Sequence, residues 1–459
     1  MRTFRSPELQ ERVDSTTESL LKSIPAKQLR YLDVDMSGAL RRLLFIRAMS
    51  HISVGPPSIR TLPEWCFWRA VLIVNEARVR APMRPFAVFL IFLIRRHRRK
   101  SSIGSGALEN TLLQMSIVAS TEHGHRFLIY IKEKKHQRYV MDALVSTGVS
   151  FQPASIMESV ALGKSQTKLN PRNRKSTGLE SEVELLKSVV SMFELRGILV
   201  VEGDSDIDVL ASEVAAAMGI PSFCLQWGGF SGARLKPGFR RLGYSYFFAW
   251  GPLSSSQIVV ENPNLIVNDI GYLSSFPSAV PSRTILFCSQ VIATGFVSSE
   301  DCADFQLLAA EIARALPEWS VIWRPHPSDR THTSAEHPLG TKLSRNLSLL
   351  EDLRTSSIVV AIASSALLEA LAMGVVAVAM RKEEQPLLVP DPYGVSDSII
   401  RGSAAYLTEI IPQLAMDNAA LQLQRAVVAR SRKPIIVRSG KAAVKTLMQI
   451  LDKSMGAKP

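Results

Sequence analysis

The chain has 459 residues, 46% of them hydrophobic and 21% charged. That is long enough for two or three domains with their own cores, and too apolar for a disordered protein. Its 54 Lys and Arg against 41 Asp and Glu leave a formal charge of +13, which suits nucleic acid, an anionic membrane face or a polyanionic substrate and by itself selects none of them.

The four cysteines (Cys66, Cys224, Cys288 and Cys302) stand far apart with no CxxC or CxH spacing. This speaks against a zinc or disulfide framework and fits buried thiols in a reducing cytosol. Met1 to Ser23 has no apolar core and no small-residue cleavage site, so no signal peptide is expected. Residues 1–105 are expected to form a helical extension, because Leu20, Leu21 and Ile24, then Leu40, Leu43, Leu44 and Ile46, recur at helical spacing. Its most apolar stretch runs from Phe86 to Ile94 and is followed by Arg95-Arg96-His97-Arg98-Arg99-Lys100. As a helix it reaches about 14 Å, against roughly 30 Å of hydrocarbon, so it does not span a bilayer unaided. It is either a buried core helix with a solvated basic end or a shallow insertion with the cations on anionic headgroups.

Residues 106–276 read as one α/β unit. Strands are expected at 127–131, 149–151, 197–201, 221–225, 246–250 and 265–267, and helices at 136–147 and 207–218. Lys164 to Gly178 carries five basic and no acidic residues and reads as a mobile loop. Pro277 to Pro281 reads as a linker. A second α/β unit, residues 282–435, opens with a strand at 284–288 and a helix at 300–316, and residues 436–459 add a C-terminal helix.

The second unit is organised around residues 319–374. Trp319–Trp323 and Ile358–Ile362 are apolar runs followed by polar residues and a helix, the pattern of parallel strands in a doubly wound sheet, where ligands bind beyond the carboxyl ends. The residues at those ends are Arg324, His326, Ser364 and Ser365, groups suited to holding a phosphate. Pro325 and Pro327 bracket His326 and stop the strand there. Arg324, two residues back, is expected on the same face of the extended chain. Ser364 and Ser365 stand where a strand turns into a helix, whose free N–H groups and dipole favour an anion. Glu369 follows Ser365 by one turn. A zinc site from His326, His332 and His337 is not expected, since the spacing fits no ligand template.

On Arg324-Pro-His-Pro327, Ser364-Ser365 and Glu369-Ala-Leu-Ala-Met-Gly374, the chain resembles the GT-B superfamily of nucleotide-sugar glycosyltransferases. More narrowly it is similar to a bacterial surface-polysaccharide branch that includes sialyl- and polysialyltransferases and the glycerophosphotransferases of teichoic acid synthesis. The resemblance covers about residues 197–380. It implies two Rossmann-like domains facing a cleft. The donor phosphate would rest on His326, Pro327, Ser364 and Ser365, and the donor ribose on Glu369. A nucleotide-sugar would be co-substrate with no further cofactor or metal, and the acceptor a cell-surface polysaccharide or glycolipid. A cytoplasmic site of action, with peripheral contact at the membrane face, goes with that. Two departures stand out. The Gly219-Ile-Pro221 to Gln226-Trp227-Gly228 segment carries Trp227 where relatives carry His, and the acidic-acidic-Gly motif that supplies the general base in sialyltransferases has no clean copy. Glu202 and Asp204, with Asp206 behind them, occupy the strand end where a base belongs. Nucleic-acid binding is not expected, because the basic runs lack interleaved aromatics. A glycerophosphotransferase, an epimerase of the same fold and a non-catalytic scaffold of a polysaccharide assembly complex remain open alternatives.

Overall fold

A computed structural model describes most of residues 117–130 and 178–456, with parts of 13–45, 140–145 and 151–153. Within the long stretch, residues 204, 231–234, 236–238, 281, 291–296, 327–336, 347 and 382–386 are not among the described residues. The apolar segment at 86–94, its basic neighbour at 95–100, the loop expected from Lys164, Asp204 and Pro327 all lie outside the described residues.

In the N-terminal extension, β1 (Arg30–Tyr31) pairs antiparallel with β2 (Val34–Asp35), ahead of a helical stretch beginning at Ser37. The first domain follows, with a seven-stranded sheet. Its strands are β3 (Ile117–Ser120), β4 (Arg126–Tyr130), β5 (Phe151–Pro153), β6 (Ile198–Val201), β7 (Ser222–Leu225), β8 (Tyr246–Ala249) and β9 (Ile266–Asp269). The order is β5-β3-β4-β6-β7-β8-β9, parallel from β4 to β9, with β3 antiparallel to both neighbours.

The central strands β4, β6, β7 and β8 are buried on both faces, and alternate residues go to different cores. Leu128, Tyr130, Ile198, Val200, Cys224 and Phe247 meet helices α1 (Gly178–Met192) and α2 (Asp206–Ala217). Phe127, Ile129, Leu199, Val201, Phe223 and Phe248 face the other way. Parallel strands laid down in chain order by right-handed crossovers place their helices on one face. The second face is closed by helical residues between 140 and 145, soon after β4, and from far away in sequence by the last helix of the chain. The remaining helix of this domain, α3 (Pro252–Glu261), joins β8 to β9.

The second domain holds a six-stranded, wholly parallel sheet: β10 (Thr284–Cys288), β11 (Ser320–Arg324), β12 (Lys342–Leu343), β13 (Ile358–Ala361), β14 (Val376–Met380) and β15 (Ile400–Gly402). Helices α4 (Ser299–Ala315), α5 (Leu349–Thr355), α6 (Ala366–Met373), α7 (Ala404–Met416) and α8 (Asn418–Ile435) accompany it. The order β12-β11-β10-β13-β14-β15 reverses direction at β10. That is a doubly wound Rossmann arrangement, with its switch point between β10 and β13. Ser298 and Ser348 start α4 and α5 with reciprocal capping boxes to Asp301 and Glu351. Among the described residues no helix is long and apolar enough to cross a membrane.

The chain passes between the domains twice. One pass follows β9. The other runs from α8 to α9 (Lys441–Gly456), which returns to the first domain and buries Ala443, Val444, Leu447, Met448 and Leu451 on its sheet. Residues 436–459, expected as a separate terminal helix, thus complete the first domain's core. The two passes touch where Tyr272 N donates to Arg438 O at 2.9 Å and Gly440 N donates to Tyr272 O at 3.0 Å. Gly271 sits at φ 93, and a Cβ there would lie 2.2 Å from Arg438 O. Both the left-handed backbone and the close approach demand glycine. We therefore expect Gly271→Ala to lower folding stability by about 1–3 kcal/mol in denaturant titrations.

Candidate functional site

Three strand ends converge at the switch point. β10 ends at Cys288 and is followed by Ser289; β11 ends at Arg324 and is followed by Pro325 and His326; β13 ends at Ala361 and leads to Ser364. Cys288 is in register with both Arg324 and Ala361. His326 and Ser364 are therefore not on adjacent strands, as the sequence alone suggested. β10 lies between them, and two strand spacings separate them by roughly 10 Å. Ser289, a residue the sequence analysis missed, fills the gap. It is 7% exposed, and its Oγ accepts from His326 N at 2.8 Å. An ordinary Ser one residue past an apolar run carries no signal in sequence. Its role depends on strand order.

The Ser364-Ser365 pair sits at the entry to α6. Ser364 Oγ accepts from Ala366 N at 3.2 Å, while Ser365 takes the cap position with helical φ of −59° and makes no capping bond. Across the cleft stands the loop after β7. A Cβ on Gly228 would lie 3.7 Å from Ser365 Oγ, and one on Gly229 would lie 2.5 Å from Leu368 Cδ1. The first is an ordinary contact; the second would press on the tip of the Leu368 side chain, so it is at Gly229 that a side chain would be felt.

Gln226 fixes that loop. It is 1% exposed; its Oε1 accepts from Trp250 N at 2.7 Å, and its Nε2 donates to Gly228 O at 2.9 Å and Ser254 Oγ at 2.8 Å. Trp227 packs half-buried against the core shared with α9. A small cleft between the domains is lined by Gly229, Phe230, Ser364, Ser365, Leu367 and Leu388.

Two expected ligand groups have other employment. Arg324 was expected to face the phosphate beside His326. Its Nη1 instead donates to Asp352 Oδ2 at 2.5 Å, with Asn346 O at 3.1 Å and Ser344 Oγ at 3.3 Å. Asp352 is 1% exposed and also accepts from Asn346 Nδ2 and Ser344 Oγ, each at 2.7 Å. The guanidinium thus neutralises a buried carboxylate and ties β11 to α5. Glu369, the expected ribose partner, is 7% exposed, and its Oε1 accepts from Tyr272 OH at 2.5 Å. Periodicity placed it one turn beyond Ser365, which is right, but the helix is buried all round, so that turn faces the interdomain crossover and not the open cleft.

On the first domain, Glu202 follows the last residue of β6 with φ 84, an uncommon backbone for a non-glycine residue. Its N donates to Leu225 O at 3.0 Å. Ser205 caps α2 by accepting from Asp208 N at 3.1 Å, with Asp206 in the first turn.

Two Rossmann-like domains facing a cleft, with the switch point of a doubly wound sheet on one side, give the chain a GT-B fold. No family profile and no curated protein matches the sequence. Solved structures of similar shape include a protein assigned as a UDP-N-acetylglucosamine 2-epimerase from Listeria monocytogenes, at 14% identity and TM-score 0.44, covering 62% of this chain and 81% of that one. MnaA of S. aureus, solved with UDP, gives 13% and 0.41 over 61% and 81%. MurG of Acinetobacter baumannii gives 12% and 0.37 over 60% and 80%. Likeness at this level assigns no activity to the chain.

Two measurements check these assignments. Arg324→Ala leaves the Asp352 carboxylate buried without its cation, and we expect it to cost about 3 kcal/mol of folding stability, read as a lower denaturation midpoint. Burial pushes Glu369 up from an ordinary 4.5 to about 7, against the lowering effects of the Tyr272 hydroxyl and the Arg324 charge. The folded chain therefore holds this proton more tightly than the unfolded chain. Its stabilising contribution is complete below about pH 4.5 and is lost as pH rises through about 7. Glu369→Gln keeps an acceptor for Tyr272 and cannot titrate. It should flatten the fall in stability between those values, and an unchanged slope would count against the assignment.

Proposed function

We propose that the protein is a metal-independent glycosyltransferase that moves a sugar from a nucleotide-sugar to a cell-surface polysaccharide or glycolipid acceptor. The observation that carries this is the row His326, Ser289 and Ser364-Ser365 at three adjacent strand ends, on the switch point of a Rossmann sheet and facing a glycine loop of the other domain. Such a row offers hydroxyl, imidazole and helix N-terminal donors to a phosphate.

In this reading the donor's phosphate lies across the row and the sugar projects into the cleft by Gly229 and Phe230. A carboxylate of the first domain takes the proton from the acceptor hydroxyl as that oxygen forms its bond to the anomeric carbon. Glu202 is the candidate among the described residues, with Asp204 beside it in sequence. The bond from the anomeric carbon to the phosphate oxygen breaks, and the electron pair stays on the leaving nucleotide. His326, Ser364, Ser365 and the α6 dipole stabilise the charge as it grows, so they favour the transition state over the ground state. Arg324 acts at one remove, through the position of β11. The resemblance of the Arg-Pro-His-Pro and Ser-Ser segments supports placing the chain near the sialyltransferase and glycerophosphotransferase branch. The lack of a clean acidic-acidic-Gly motif leaves the nucleotide to be read by experiment.

A thermal-shift screen with CMP, CDP, UDP and GDP tests binding, because a ligand held only by the folded state raises the melting temperature. With the bound nucleotide known, release of that nucleotide from its sugar conjugates reads transfer. We expect His326→Ala to melt like the parent and to lose at least about a hundredfold in turnover. Full turnover in that variant would remove the histidine from the mechanism.

A further inference from the structure

The charge excess is unevenly spread. From Arg425 to Lys445 the sequence holds Arg425, Arg430, Arg432, Lys433, Arg438, Lys441 and Lys445, and no acidic residue. All of these but Arg425 are exposed. They follow one another along the last turns of α8, the second interdomain pass and the first turns of α9. Arg430 and Lys433 share the outer face of α8, and Lys441 and Lys445 share that of α9. Arg438 donates to Thr446 Oγ1 at 2.8 Å; burial raises the Asp269 carboxyl, and the Arg438 charge works against that rise. Among the described residues none of the six has an ion-pair partner.

Apolar groups stand among the cations. Leu423, two turns back from Arg430 on the same outer face, is 70% exposed, and Val437 is 39% exposed.

We propose that this strip docks on an anionic membrane surface. Cations interleaved with exposed aliphatic side chains suit a headgroup region, which offers phosphate charge above and acyl carbon below. The strip carries no aromatic residue to stack on bases, so a single-stranded nucleic acid fits it less well. The chain's own basic stretches cannot cover it. Arg95 to Lys100 and Lys164 to Lys175 contain no acidic residue and would be repelled. Docking here engages the segment the two domains share, and does so whatever reaction the cleft performs.

The test uses the full chain and sedimentation with vesicles. Wild type should bind phosphatidylcholine vesicles that contain phosphatidylglycerol, bind phosphatidylcholine alone much less, and lose binding as salt is raised. The variant Arg430→Glu/Lys433→Glu/Lys441→Glu/Lys445→Glu should lose at least about tenfold in partition while keeping its melting temperature. If that variant fails to fold, the milder pairs Arg430→Gln/Lys433→Gln and Lys441→Gln/Lys445→Gln should each lose a smaller part. Equal partition of the variants would place any membrane contact elsewhere in the chain. Failure of wild type to bind the anionic vesicles, or binding to DNA in their stead, would overturn the proposal outright.

Discussion

A small cluster around Tyr272 helps hold the two halves of this molecule in relation to each other. Tyr272 is 8% exposed at the first pass between domains. Its backbone bonds to the second pass at Arg438 and Gly440, its ring meets Trp250 edge-on with centroids 5.0 Å apart, and its hydroxyl donates to Glu369 on α6. A buried hydroxyl or carboxyl without a partner is costly. Each of these groups satisfies the other, and together they tie both connecting segments to the second domain's central helix.

The candidate site inherits its geometry from that contact. The same Trp250 that packs on Tyr272 bonds to Gln226, and Gln226 shapes the loop that carries Gly228 and Gly229. The same helix that carries Glu369 presents Ser364 and Ser365 at its start. The glycine loop of one domain and the serine pair of the other are thus positioned from a single aromatic cluster. The cost of removing any one member is shared across the cluster, as expected for connected buried polar networks.

Much of the second domain was legible in the sequence because local signals there agreed. Apolar runs of strand length, serine caps and the glycine after Met373 all mark the elements within a residue or two. The strand-end position of His326 and the Ser-Ser turn follow from the same local chemistry. Less legible were α1, which lies beside a polar run, and β3, an antiparallel strand whose four residues are too few to show a period. Arg324 and Glu369 lie on the elements expected for them, and the structure pairs them with Asp352 and Tyr272, residues to which the sequence did not point. Residue type and spacing say where a side chain starts, and not whether a buried acid or a crossing segment stands opposite.

The sequence by itself determined two α/β units, their strand ends, and which polar groups crowd those ends, because periodicity and capping act within a few residues. The tertiary structure alone decided that β10 intervenes between His326 and Ser364, which makes Ser289 part of the row. It also decided that Glu369 meets Tyr272 and that the chain's last helix closes the first domain's sheet. Those outcomes depend on strand order and on contacts between segments about a hundred or more residues apart, for which no window of sequence carries a signal.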